Sequence, residues 1–170
     1  MKRSLLCLAL AVAAGVAMPM VFAPSPSFAA ASDATTYVQK AAVSDLFEIE
    51  SSKLAATQAS NPEVKSFAAM MITDHTQSSQ KIAAAASGIT LPTKLDKPHE
   101  EQLAELQKMS GTEFDRSYIE VQVKAHTDAL KLHQDYADTG SDAKLKAVAA
   151  EIAPVVSHHL EQAKHLAGGS

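Results

Sequence analysis

The chain has 170 residues, of which 20% are charged and 5% aromatic, with no tryptophan and a formal net charge of -4. That length is enough for one domain with a real core, and abundant Ala, Leu, Lys, Glu and Gln beside scarce Gly favour helix. No basic run and no basic stripe with interleaved aromatics occurs, which argues against a nucleic-acid partner.

Residues 1–30 read as a secretory leader. Lys2 and Arg3 precede the apolar run Leu5–Val21, Pro24 and Pro26 break it, and Ser27, Ala29 and Ala31 supply the small residues of a cleavage site. Cleavage near Ala29–Ala31 and a periplasmic or secreted location are therefore expected. A retained anchor is the alternative, because the run nearly spans a bilayer; Pro19 within it and the small-residue exit favour cleavage. The single cysteine, Cys7, falls in the leader, so the mature chain has neither disulfides nor thiolate metal ligands. No second apolar stretch is long enough to cross a membrane.

Residues 31–167 form the expected domain. A first long helix is expected over 32–58, with Val38, Ala42, Val43, Leu46, Phe47, Ile49 and Leu54 on a broad apolar arc. Glu50 and Lys53 fall inside that arc, and Asp45 and Glu48 fall outside or at its edge. Asn61-Pro62-Glu63 closes a tight connection and starts a second helix to about Ser87, through a capping Asn, an N1 proline and an acid at the positive helix end. Its inner face is Val64, Phe67, Ala68, Met71, Ser78, Ile82 and Ala85, with His75 at the centre; Gly88 ends it. A linker containing Pro92 leads to a short helix from Asp96-Lys97-Pro98 to Met109. Ser110-Gly-Thr-Glu113 has capping-box spacing and launches a third long helix. Wound at ~100° per residue, that helix gathers Phe114, Tyr118, Val121, Ala125, Ala129 and Leu132 with Asp115, Gln122, His126 and His133. Gly140 ends it, Ser141 is placed to cap the last helix, 142–167, and Pro154 is expected to kink that helix. Residues 168–170 form a frayed tail.

The product is an all-α, ferritin-like four-helix bundle: two antiparallel hairpins joined by a long crossover that carries a short extra helix. A simple up-down-up-down bundle is the alternative.

Counted from the chain reversals, Glu50, His75, His126 and His159 lie near mid-height of their helices, within ~9 Å of axial spread. One inward ionisable group per helix at a common level is a candidate metal constellation for zinc, iron, manganese or copper. The same groups could instead form a proton-responsive cluster, or a network of histidines satisfied by one another, by Tyr118, by Gln122 or by backbone. The di-iron pattern of such bundles needs Glu-x-x-His on two helices. Here Ile72, Val123 and Val156 stand three before the histidines, so a di-iron oxidase or mineralising ferritin is not expected. Asp74 and Met70 are placed at the edge of the second helix, His133 at the surface edge, and His99, His158 and His165 outside. No nucleophile–base pair or nucleotide loop is present.

The segments YVQKAAVSDLFEIESSKLA, NPEVKSFAAMMITDHT, GTEFDRSYIEVQVKAH and HHLEQAKHL resemble an exported bacterial family known only as domain of unknown function 4142. Its members are often described as outer-membrane or secreted proteins. The resemblance runs from about Ser32 to Leu166, and it implies a ferritin-like four-helix bundle and no assigned mechanism. Glu50, Asp74, His75, Phe114, Asp115, Tyr118, His126 and His159 match the recurring positions of that family.

The leading reading is a non-enzymatic envelope module with a polar layer inside the bundle, serving binding or stress. The alternative is a mononuclear metal protein using Glu50, His75, His126 and His159. An envelope partner and self-association both stay open.

Overall fold

The computed structural model describes residues 33–168; the expected leader and the last two residues lie outside the described residues. Five helices follow in order: α1 (Ala34–Gln58), α2 (Pro62–Ala85), α3 (Lys97–Leu106), α4 (Gly111–Thr139) and α5 (Ala143–Gly168). α1 packs on α2 and α4, α5 packs on α4 and α2, and α3 lies against α1 and α4.

Helix starts follow local chemistry. The side chains of Asp33, Asn61 and Asp96 accept from the amides of Thr36, Glu63 and His99, and proline occupies the first turn of α2 and α3. Two expected caps differ. Ser110 makes no side-chain cap bond; Gly111 behind it takes a positive φ of 62°, and Ala59 bridges to it. At α5 the cap is Asp142, whose Oδ1 accepts from Lys144 and Leu145, and Ser141 is left one residue too early. Gly140 closes α4 because a Cβ there would lie 2.5 Å from the Tyr136 carbonyl and 2.6 Å from its ring. Gly168 is the last residue of α5 rather than part of a tail.

Connectivity is decided by which ends meet. The end of α1 sits beside the start of α4 at the Ala59–Gly111 bridge. Asp115 fastens the same corner, accepting from the amides of Ser60 and Asn61 at 3.0 Å each and from the Ser60 hydroxyl. At the other end Tyr37, near the start of α1, stacks on Tyr136, near the end of α4, at 3.9 Å. Adjacent α1 and α4 are thus antiparallel, and residues 86–110 return along the bundle. Ile89 and Leu91 of that crossover pack on one apolar cluster, and Leu106 and Met109 belong to the other. This is the ferritin-like arrangement, not the up-down-up-down alternative.

The core is divided. One cluster includes Val38, Ala41, Ile82, Ala149, Ile152 and Val156. The other includes Ala55, Phe67, Met71, Phe114, Tyr118 and Ala163. Full burial of a side chain such as Ile82 or Met71 contributes ~1.5–3 kcal/mol, so each end can carry a costly polar middle.

Candidate metal centre

Three histidines from three helices meet in that middle. The apolar neighbours of His75 on α2 (Met71, Ile82), of His126 on α4 (Ile119, Ala129) and of His159 on α5 (Ile152, Val156, Ala163) are buried, so helical phase carries each imidazole inward with them. The three residues are 0–3% exposed. Their centroids stand 5.5 Å apart for His75–His126, 5.6 Å for His75–His159 and 5.5 Å for His126–His159. One ring nitrogen from each lies within 4.8 Å of the others.

The partners of the remaining nitrogens fix which atoms are free to coordinate. His75 Nδ1 lies 2.7 Å from Asp45 Oδ1, and Asp45 Oδ2 accepts from Ser79 at 3.1 Å. His126 Nδ1 donates to the Gln122 carbonyl at 2.9 Å. His159 Nε2 lies 2.9 Å from Asp74 Oδ2. Carbonyl and carboxylate oxygens only accept, so these three nitrogens carry protons. That leaves Nε2 of His75, Nε2 of His126 and Nδ1 of His159. The two Nε2 atoms are 3.4 Å apart, and the buried Nδ1 of His159 has no partner.

The electrostatics follow from this geometry. Burial depresses His126 to about 3, aided by the charge of His75. Burial also lowers His159, with Asp74 pulling the other way. His75 alone is raised: burial opposes its charge, but the hydrogen bond and charge of Asp45, with Glu48 and Asp74, outweigh it. A protonated His75 then donates from Nε2 to His126 Nε2, and a metal ion bound there would take the place of that proton. Beside them, Glu48 is 1% exposed with Oε1 3.7 Å from His126 Nδ1 and Oε2 unpartnered. Burial pushes its carboxyl up to about 7, against the charge of His75 and a hydrogen bond from Gln122.

Glu50 does not join this group. Its side chain is 44% exposed and pairs with Lys53 at 2.8 Å. The buried acids of α1 are Asp45 and Glu48, and Glu50 stands ~200° around the helix from Glu48. Lys53, placed inward by the same phase, is exposed. The buried stripe of α1 is Val38, Ala41, Asp45, Glu48, Ser51, Ser52 and Ala55. Its small residues were the signal available in the sequence, but apolar weight favours the side carrying Phe47, which is covered by His99 of α3 at 5.0 Å between ring centres. Asp74 sits at the edge as expected, yet it holds His159 across the bundle rather than its chain neighbour. His133 is 3% exposed, not at the surface, and its Nδ1 is 3.0 Å from the Tyr37 hydroxyl. Tyr118 bonds Ser52 at 2.8 Å and the Gln122 side chain bonds Ser51 at 3.3 Å, so neither side chain satisfies a histidine, while the Gln122 backbone carbonyl does serve His126 as the backbone reading expected. Met71 is core, Met70 half-buried, and His158 and His165 exposed.

The sequence profile of the family described as "Domain of unknown function (DUF4142)" matches residues 20–166. The chain belongs to the DUF4142 family. No curated protein matches it. Among solved structures, the DUF4142 bundle is similar to the crystal structure of a DUF305 fragment from Deinococcus radiodurans, with a TM-score of 0.72 and 12% identity over 84% of this chain and 100% of that one. At that identity the likeness speaks for the helical-bundle fold alone. No helix among the described residues is long and apolar enough to cross a membrane.

Proposed function

We propose that this DUF4142 protein is an exported bundle that holds one divalent transition-metal ion on His75, His126 and His159. The observation that carries the reading is the division of roles among the ring nitrogens. Each imidazole gives one proton outward to an oxygen acceptor, the Nε2 atoms left on His75 and His126 face each other, and the Nδ1 left on His159 is buried without a partner. Metal-bound histidines are held in this way, with the second N–H on a carboxylate, carbonyl or water. Two ligands on a tetrahedral ion with bonds of 2.0–2.1 Å stand ~3.3 Å apart, and the His75 and His126 Nε2 atoms are separated by 3.4 Å. One ring nitrogen from each of the three residues already lies within 4.8 Å of the others.

Three imidazoles without Glu50 suit zinc, copper and iron ahead of manganese, which prefers carboxylate oxygens. Rings this deeply covered admit no organic substrate, so the ion is bound for stability or retention rather than turnover. Export rests on the leader pattern of residues 1–30.

Thermal melting with added zinc, copper or iron tests the reading. Stabilisation should grow as RT ln(1 + [L]/Kd), reaching about 4 kcal/mol at a thousandfold excess over Kd, and should vanish in the His75→Ala/His159→Ala variant. A shift that persists in that variant, or none with any of the three metals, overturns it.

A further inference from the structure

The two carboxylate–imidazole pairs of the site differ in where they sit. Asp45 and His75 are both sealed, with side chains 3% and 4% exposed, and Asp45 is also held by Ser79. Asp74 pairs with the equally sealed His159, but its own side chain is 31% exposed. Of the acids at the histidine cluster, Asp45 and Glu48 are closed off and Asp74 reaches water. On α5, Pro154 lies inside the helix, five residues before His159. Proline has no N–H to give the Ala150 carbonyl, so the ladder is interrupted there and local opening costs less. Val155 beside it is 41% exposed, and His158 faces out.

We infer that Asp74 marks the route by which a hydrated divalent cation reaches the buried histidines, through the α2–α5 seam. Its carboxylate draws the cation to the seam, and its hydrogen bond to Nε2 of His159 aims the unpartnered Nδ1 inward to receive it. Asp45 has the other role: it fixes His75 and sets how firmly the ion is kept. The inference rests on the three-histidine reading above.

Stopped-flow uptake of Co²⁺ by the full protein, followed by the visible absorption of the bound ion, separates the two roles. Asp74→Asn should slow association about tenfold and flatten its dependence on ionic strength, because a charge that steers a cation acts on the on-rate. Asp74→Glu should restore both. Asp45→Asn should leave association unchanged and weaken binding about 10- to 100-fold through faster release. If Asp74→Asn takes up Co²⁺ at the wild-type rate with the wild-type salt dependence, the route is wrong while the metal site stands. If the wild-type protein gives no Co²⁺ signal, both fall together.

Discussion

His126 and His133 stand two helical turns apart on the buried face of α4, and they sit in opposite company. Both are sealed from water, and burial pushes both well below the ordinary imidazole range, to about 3 and about 4. His133 meets one hydroxyl, from Tyr37, whose ring it also touches edge-on at 5.7 Å. His126 meets two other imidazoles and a buried acid. Depth and a depressed pKa therefore do not distinguish a ligand from a core histidine. Lone pairs that converge, each behind a ring nitrogen anchored on an oxygen, do.

The largest expected effect separates this pair outright. His126→Ala should abolish zinc or copper binding in isothermal titration calorimetry and remove the full metal-dependent stabilisation of about 4 kcal/mol at a thousandfold excess over Kd. His133→Gln should keep both. Equal losses from the two would erase the distinction.

Next comes Glu48, which exists only on the His126 side. Its folded pKa of about 7 lies above the model-peptide value of 4.5. The stability it contributes is fully present below pH 4.5 and lost as pH rises through 7. Glu48→Gln should therefore stabilise the metal-free protein at pH 8, on the order of 3 kcal/mol, and change little at pH 4. His126 and His133 act in the reverse sense. Their folded values lie below 6.5, so their share of stability is present above pH 6.5 and lost as pH falls toward 4 and 3. The two windows overlap from pH 4.5 to 6.5, where two histidines outweigh one acid, so urea unfolding midpoints should rise to a maximum near pH 6.5 and fall above it. A flat profile in the parent protein would contradict the burial of these groups.

On the His133 side, Tyr37→Phe strands the imidazole nitrogen and should cost about 1–3 kcal/mol in urea unfolding with unchanged metal affinity. A weakened metal site in that variant would join the two regions that the account keeps apart. The smallest effect belongs to Glu50→Gln. It breaks one exposed ion pair and should change stability by less than about 0.5 kcal/mol and leave metal uptake intact.

Helix limits and the inward direction of His75, His126 and His159 were legible because apolar neighbours set the phase of α2, α4 and α5. Tyr118 and Ala129 bracket His126, and Val156 and Ala163 bracket His159. α1 misleads for a physical reason: its buried stripe is polar at the centre, where Asp45 serves His75 and Ser51 serves Gln122. Leu46, Ile49 and Leu54 are only half-buried, so apolarity points away from the site and selects Glu50 in place of Asp45 and Glu48. The pairings of Asp74 with His159 and of His133 with Tyr37 join residues 85 and 96 positions apart, and no spacing rule within one helix reveals them. Asp115 also lay on an inward arc, but it serves the corner between α1 and α2.

The central claim is that three imidazoles converge on one ion, and anomalous diffraction from crystals grown with zinc tests it most directly. One peak is expected, 2.0–2.1 Å from Nε2 of His75, Nε2 of His126 and Nδ1 of His159, with Asp45, the Gln122 carbonyl and Asp74 still behind the rings. An empty centre, with zinc only at exposed histidines such as His158 or His165, would contradict it.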